Sequence, residues 1–442
     1  MTFAMPESTL QAFLENALTQ TPQVRRLVVG FSGGLDSTVL LHLLHRQAEQ
    51  HGCELRAVHV HHGLSPNADA WAAHARSVCL SWQIPLQIHH IQVASGASLE
   101  ASARTARRQA YADSLAEGDA LLLAQHEDDQ AETLLFRLLR GAGVSGLGAM
   151  RAISGFALSG KLTVPLWRPL LDVSRAVLLQ YARQHELVWV EDESNQDVRY
   201  SRNFLRNEII PRLRQHWPAA SSTLAATALR LQEADALLQE MATEMASACI
   251  DSAGRLLISC VLDLPPARQR LLMRYWLHLQ SFRLPDEAIL ERIRLEVMMA
   301  REDAMPRVAW EGCEIRRYRQ HVYALLPLPE LPGDWRSSWD LTSPLMLPDG
   351  RVLSAEVPSG FALPDCHVRF RRGGETLRGH GLTQEVKKLL QASAIPPWER
   401  ERLPMVFAGN ELMAVAGTTL RSTLLPAAVH FSLAPGCGHS AQ

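Results

Sequence analysis

The segment Ser32–Ser37, with the sequence SGGLDS, constrains this chain more than any other feature. It directly follows the apolar run 27–31, which predicts a buried strand, and it precedes a helical pattern over 38–50. Two glycines at such a turn can adopt backbone angles that other residues avoid, and their N–H groups can then face an anion. The helix N-terminus adds partial positive charge at the same point. The pattern predicts a phosphate-binding loop.

This loop is not a Walker A loop, because the lysine that grips terminal phosphates is absent. The alternative is an ordinary glycine-rich turn in which Asp36 and Ser37 act as caps. The sequence SGG-x-DS after a first strand resembles the pyrophosphatase-loop ATPases. That resemblance implies cleavage of ATP between its α and β phosphates, with AMP transferred to a substrate oxygen.

The alternation of strand and helix patterns from about 27 to 183 predicts an α/β fold. Strands separated by helices predict a doubly wound parallel sheet, with ligands bound at the carboxyl ends of the strands. The apolar runs are 27–31, 55–60, 86–91 and 120–124, and the helical patterns between them are 38–50, 68–82 and 99–116.

A chain of 442 residues predicts more than one domain. We expect an adenylation domain over 1–217, a mostly helical middle domain over 218–327, a proline-rich linker over 328–364 and a small basic α+β domain over 365–434. A hydrophobic content of 47% is typical of a globular protein.

The seven cysteines are scattered and include no C-x-x-C pair. This spacing favours a reducing cytoplasm and argues against a zinc ribbon or an iron–sulfur cluster. We expect neither a membrane span nor a signal peptide. The net charge of −2 gives no sign of nucleic-acid binding in itself.

The segment His59–Leu64, HVHHGL, ends the second predicted strand. Three histidines suggest a metal site, but their spacing on a strand end does not aim them at one point. We favour polar side chains that line a nucleotide pocket or pack at the strand end.

The segment His126–Thr133, HEDDQAET, follows the fourth strand and begins a helix. Asp129, Glu132 and Thr133 share one helical face. An N-cap and a capping box would account for one acid but not for three beside a histidine. Carboxylates near ATP can hold Mg²⁺ against phosphate oxygens. His126 could transfer a proton or polarise the substrate, and the sequence does not choose between these roles.

The segment Arg140–Gly146 fits G-x-G-x-x-G by letter but follows a helix instead of a strand. We therefore interpret it as a helix C-terminus that runs into a flexible loop.

An acidic segment, Glu191–Asp197, passes into the basic segment Arg199–Arg206. A solvated, capped loop before a basic helix is the alternative to a functional role. Arg202 could neutralise the charge that develops on a transferred phosphoryl group.

Two groups of basic residues could contact RNA phosphates. Arg104, Arg107 and Arg108 lie on the predicted third helix, where a solvated surface is the alternative. The second group lies near the C-terminus and consists of Arg369, Arg371, Arg372, Arg378, Lys387 and Lys388.

Four segments resemble the tRNA(Ile)-lysidine synthetases: HVHHGL (His59–Leu64), HEDDQAET (His126–Thr133), RPLL (Arg168–Leu171) and EDESNQD (Glu191–Asp197). The segment 387–400 resembles the C-terminal domain of the longer members. The family reaction has two steps. ATP adenylates O2 of the wobble cytidine in a CAU anticodon and releases pyrophosphate; the ε-amine of free lysine then attacks C2 and expels AMP.

The resemblance implies isoleucine tRNA with a CAU anticodon and free L-lysine as partners, with ATP and Mg²⁺ as cofactors. The resemblance leaves open whether the protein forms a homodimer. Together with the residue patterns above, the resemblance implies four overlapping sets of residues: Ser32, Gly33, Gly34, Leu35, Asp36 and Ser37 for the nucleotide; Asp36, His126, Asp129, Glu132 and Arg202 for catalysis; Asp36 and Asp129 for the metal; and Arg104, Arg107, Arg371, Arg372, Lys387 and Lys388 for tRNA.

Two other functions compete with this one. A tRNA thiolase shares the loop and the RNA partner but usually needs cysteines for persulfide or cluster chemistry. A nucleotide-binding module without catalysis would need the loop but not the acidic helix.

Overall fold

A computed structural model describes residues 6–63, 65–91, 99–158, 162–301, 304–379 and 382–434, without the side chains of 99–101, 194 and 195. Leu64 of the HVHHGL segment and the side chains of Ser194 and Asn195 therefore lie outside the described residues. The chain divides into two compact units, Met1–Leu238 and Gln239–Gln442.

The N-terminal unit is built on a six-stranded sheet. Its strands are β1 (Arg26–Gly30), β2 (Glu54–His61), β3 (Leu86–His90), β4 (Asp119–Leu122), β5 (Ile153–Ala157) and β6 (Thr163–Trp167). The order across the sheet is β3-β2-β1-β4-β6-β5, in which β5 alone is antiparallel to its neighbour. The predicted parallel sheet is confirmed, and β5 and β6 extend it beyond the four strands that the apolar runs predicted.

Successive residues of a strand point to opposite faces of the sheet, and in β1 both sets are apolar. Helices therefore cover both faces of the sheet. Leu27 and Val29 of β1 belong to one core, while Val28 belongs to the other. The helices along this part of the chain are α1 (Pro6–Gln20), α2 (Leu35–Gln47), α3 (Ala68–Ser81), α4 (Leu99–Ser114), α5 (Glu127–Leu138), α6 (Val144–Leu147), α7 (Arg175–Gln184), α8 (Ser201–Phe204), α9 (Ile210–His216) and α10 (Ala220–Cys249), with a π-helical turn at Leu205–Ile209. The last residues of α10 belong to the C-terminal unit.

The middle part of the chain is helical, as predicted, but it also contains a small antiparallel sheet. Cys249 and Cys260 form a disulfide, which their spacing did not predict. The elements are β7 (Leu256–Leu257), α11 (Ile258–Leu262), α12 (Pro266–Leu279), α13 (Glu287–Arg292), a π-helical turn (Ile293–Met298), β8 (Arg307–Trp310), β9 (Cys313–Tyr318) and β10 (His321–Leu325), with sheet order β7-β10-β9-β8.

The C-terminal part is rich in β structure. Its elements are β11 (Arg336–Ser338), β12 (Leu345–Met346), β13 (Val352–Glu356), β14 (Cys366–Arg369), β15 (Thr376–Arg378), β16 (Thr383–Glu385), α14 (Val386–Ala392), α15 (Pro397–Arg400), β17 (Met405–Ala408), β18 (Glu411–Val415) and β19 (His430–Ala434). Strands of the proline-rich segment pair with later ones, since β11 joins β14 and β13 joins β19. The domain limits given above stay predictions.

Candidate active site

The SGGLDS loop lies at the carboxyl end of β1 and leads into α2. Gly33 has a φ of +84°, which favours glycine, and a Cβ there would lie 3.3 Å from a methyl carbon of Val190. No side chain caps α2 at Gly34, and the first amides of a helix have no partner within the helix itself. Ser32 and Ser37 face each other across the loop, with their hydroxyl oxygens 3.0 Å apart. The loop thus has the form of an anion cradle.

Asp36 joins this loop to the acidic helix α5 through His126. The His126 ring is only 2% exposed, and its Nε2 lies 3.6 Å from Oδ2 of Asp36 and 3.5 Å from Oδ2 of Asp129. Burial of Asp36 opposes its ionisation, but His126 and the charges of Arg175 and Arg206 hold its pKa below the ordinary value. Asp36 is therefore an anion at neutral pH, at the helix N-terminus where a nucleotide would bind.

His126 itself is the N-cap of α5. Its Nδ1 accepts the amide hydrogen of Asp128 at 3.2 Å, while the Asp129 carboxylate accepts the amide of His126 at 3.1 Å. The sequence suggested that an aspartate could be the cap, whereas here the histidine is the cap and Asp129 completes the capping box. Because Nδ1 is an acceptor, the ring proton is on Nε2 and points toward both carboxylates. Burial disfavours the charged ring, but those carboxylates raise the pKa of His126.

Arg206 links Asp129 and Glu132, which share one face of α5. Its Nη2 donates to Asp129 at 2.7 Å, and its Nε donates to Glu132 at 2.6 Å. Glu132 is 1% exposed and also accepts from Arg202 at 3.3 Å. Burial raises the pKa of Glu132, and the two arginines oppose that shift. Arg202 further donates to Thr133 at 3.0 Å.

The predicted catalytic residues thus converge on one place, and Arg206 joins them. The sequence places Arg206 beside Arg202 but does not show which residues it binds. The signal was available, because the two arginines are four residues apart and so share a helical face.

One atom at this site suits a divalent cation. Oδ1 of Asp36 is buried and accepts no hydrogen bond from any described residue, and Nε of Arg175 lies 4.0 Å from it. Mg²⁺ favours one or two carboxylates together with phosphate oxygens. Asp129, by contrast, already accepts from Arg206 and from the His126 amide. No group of three potential metal ligands occurs among the described residues.

Val190, the residue before the EDESNQD segment (Glu191–Asp197), contacts the nucleotide loop. The amide of Val190 donates to the Gly33 carbonyl at 2.9 Å. Asn67 donates to Glu193 at 2.9 Å, so this segment also contacts the residues that follow β2. Asp197 pairs with the exposed Arg199 at its end. The segment therefore begins at the edge of the site, and Arg202, in the basic segment that follows it, contacts the acidic helix.

The three histidines that end β2 have separate partners. Nδ1 of His59 lies 2.9 Å from the carbonyl oxygen of Phe31, and His61 contacts Asp69 at 3.0 Å. Nε2 of His62 lies 3.3 Å from a guanidinium nitrogen of Arg107. The side chains diverge, as their spacing suggested.

The basic residues predicted to contact RNA fall in both units. Arg104 and Arg107 are exposed on α4, in the N-terminal unit. Near the C-terminus the structure adds an acid that the sequence reasoning did not count: Glu375 accepts from Arg369 at 2.9 Å and from the Arg372 amide at 2.7 Å, and it lies 3.8 Å from Arg371.

The remaining members of the C-terminal group are more exposed. Arg372, Lys387 and Lys388 all lie at the surface. Lys388 pairs with Glu385 at 3.5 Å. The net positive surface is therefore smaller than the sequence implied.

None of the helices in the described ranges is both long enough and apolar enough to cross a membrane.

Comparison with known proteins identifies three matching regions. Residues 6–213 match a PP-loop domain, residues 256–323 a TilS substrate binding domain, and residues 366–427 a TilS C-terminal domain. The chain is 45% identical to a tRNA(Ile)-lysidine synthase of Xylella fastidiosa over 90% of this chain and 92% of that one. It is also 45% identical to the Pseudomonas aeruginosa enzyme of that name, over 93% of this chain and 94% of that one.

Solved structures resemble parts of the chain. A U34-tRNA thiolase from Methanococcus maripaludis is 18% identical, with a TM-score of 0.41 over 52% of this chain and 78% of that one. A TilS C-terminal domain is 23% identical, with a TM-score of 0.19 over 24% of this chain and 98% of that one.

Proposed function

Since the chain belongs to the tRNA(Ile)-lysidine synthase family, we propose that it ligates free lysine to the wobble cytidine of the isoleucine tRNA whose anticodon is CAU. The enzyme is an ATP-dependent ligase that acts on tRNA in the cytoplasm. The observation that carries this proposal is the position of His126, between Asp36 on the nucleotide loop and Asp129 on the acidic helix.

In the first step the loop holds ATP by its phosphates. The amides at the start of α2, with Ser32 and Ser37, bind the oxygens of the α and β phosphates. O2 of the cytidine attacks the α-phosphorus, the bond to the β-phosphate breaks, and pyrophosphate leaves. Asp36 would hold Mg²⁺, which when bound neutralises phosphate charge.

In the second step a lysine ε-amine replaces AMP on C2. The amine attacks C2, the bond from C2 to the adenylated oxygen breaks so that AMP leaves, and the amine gives up a proton to the Asp129 carboxylate. Asp129 and Glu132 offer the negative charge that recognises a lysine ammonium, and Arg206 holds both in position. We infer that His126, whose Nε2 faces both Asp36 and Asp129, takes part in this proton transfer.

Activation must precede amination, because a cytidine carbonyl oxygen is a poor leaving group. The two steps can therefore be separated by omitting lysine. With unmodified tRNA and ATP alone, we expect pyrophosphate release without free AMP. Addition of lysine should then release AMP and label the tRNA.

The same mixture discriminates between the competing functions. A tRNA thiolase would require a sulfur donor and would leave labelled lysine in solution. A module without catalysis would bind ATP and release no pyrophosphate. Either result would remove the ligase assignment.

A further inference from the structure

Three arginines near the carboxyl end of β6 have no acidic partner within the described part of the chain. Arg104 lies on α4, Arg137 in the last turn of α5, and Arg168 directly after β6. The ion pairs of this unit engage other arginines, such as Arg202 and Arg206. Arg104, Arg137 and Arg168 are called the arginine cluster below.

Neutral groups hold two members of the cluster in place. Arg137 donates to the carbonyl oxygens of Gly146 at 2.8 Å and Ala149 at 2.9 Å. Arg168 donates to the Gln125 side chain, to the Arg151 carbonyl oxygen at 2.8 Å and to the Ser154 hydroxyl at 3.0 Å. A guanidinium has five N–H groups, so each arginine keeps donors for a ligand while its charge stays uncompensated.

The arginines also repel each other. Burial together with the charges of Arg104 and Arg137 lowers the pKa of Arg168 to about 10. Burial together with the charges of Arg104 and Arg202 lowers the pKa of Arg137. A purely structural role could be filled by a neutral donor without this repulsion. The arrangement indicates an anion-binding site, because a bound anion would offset the repulsion between the arginines.

The sheet order locates this anion relative to the nucleotide. Neighbouring strands are about 4.8 Å apart, so Arg168 after β6 lies about 10 Å from the loop after β1. The end of β4, which carries Gln125 and His126, lies between them. ATP phosphates at the loop would place the reacting base near His126, with Arg168 on its far side.

We propose that the arginine cluster binds backbone phosphates of the RNA beside the nucleotide being modified. This inference rests on the proposed function and adds Arg137 and Arg168 to the RNA contacts. Phosphates of the nucleotide or of pyrophosphate share the same chemistry and are the alternative source of the anion.

The test is the salt dependence of tRNA binding by the full-length protein. Removal of one arginine–phosphate interaction should reduce the slope of log K against log salt by about 1. We expect that reduction in Arg137→Gln and in Arg168→Gln and about twice that in the double variant, with affinity about fivefold to tenfold weaker per substitution at moderate salt and unchanged ATP affinity. The control is Arg56→Gln, on the amino-terminal half of β2, whose side chain pairs with exposed Glu54.

Arg104→Gln changes an exposed residue and keeps the test valid if a substitution at Arg168 prevents folding. Unchanged slopes in variants that still fold would overturn the proposal. Weaker binding of ATP or pyrophosphate with an unchanged tRNA slope would assign the arginine cluster to the nucleotide instead. If wild-type protein labels tRNA with lysine while the slopes do not change, only this inference fails, whereas absence of labelling is a failure of the proposed function.

Discussion

Replacing Arg206 by lysine should both destabilise the N-terminal unit and slow catalysis. The guanidinium makes three bonds to carboxylates: 2.6 and 3.0 Å to Glu132, and 2.7 Å to Asp129. An ammonium on a shorter side chain cannot reproduce this fork and keeps about one of them. The two acids then repel each other next to His126.

The magnitude follows from the number of hydrogen bonds removed and from their exposure. A hydrogen bond to a charged group contributes about 1.5–3 kcal/mol. The Arg206 side chain is 37% exposed, so water compensates for part of the loss. Removal of two such bonds, discounted for this exposure, lowers the free energy of unfolding by about 2 kcal/mol. Misplacement of Asp129 should lower kcat about tenfold to hundredfold.

Urea unfolding measures the first effect and lysine incorporation the second. The relevant unfolding transition is the one that saturating ATP shifts, because ATP stabilises the unit that binds it. The control is Arg212→Lys, whose single pair with Glu208 is exposed and should cost under about 0.5 kcal/mol. If Arg206→Lys lowers the urea midpoint of unfolding no more than the control does, Arg206 does not hold Asp129 and Glu132 in place, and our reasoning is wrong.

Three further predictions concern separate parts of the chain. Asp36→Ala should abolish pyrophosphate release in a coupled phosphate assay, and normal release would refute the loop assignment. Neutralising Arg371 and Arg372 should weaken tRNA binding in a filter assay while ATP affinity is unchanged. Arg372 should dominate because Arg371 faces Glu375; equal affinity would count against this surface. Burial, with the charge of His185, lowers the pKa of His42 to about 4 from 6.5. Between pH 6.5 and 4 the unfolded chain therefore binds a proton that the folded protein excludes, and stability falls as pH falls. His42→Gln should remove about 1 kcal/mol of the loss between pH 7 and pH 5, measured by denaturation at both values.

The sequence predicted the sheet of the N-terminal unit because its strands are short apolar runs with turn residues at their ends. β1 and β2 were placed within one residue at each end. Helix α1 and strands β5 and β6 were missed, although Leu10 and Leu14 of α1 are fully buried. Their patterns are too short or too mixed to stand out, and only packing against the sheet identifies them.

The candidate site was predicted as a set of residue types but not as a network. The spacing of Asp129 and Glu132 placed both on one face of α5. It could not show that Arg206 bridges them, because that contact joins residues more than seventy positions apart. Glu375 illustrates the same limit near the C-terminus. The sequence shows that an acid follows the arginines, but only the fold shows that Glu375 is buried against them and offsets part of their charge.

The most direct test of our account is mass analysis of the anticodon nucleosides after reaction. Wild-type protein, unmodified CAU tRNA, ATP and lysine should convert the wobble cytidine into a nucleoside heavier by lysine minus one water. The change should require both ATP and lysine and should be absent with Asp36→Ala. An unchanged cytidine, or a modification that carries sulfur instead of lysine, would contradict the assignment.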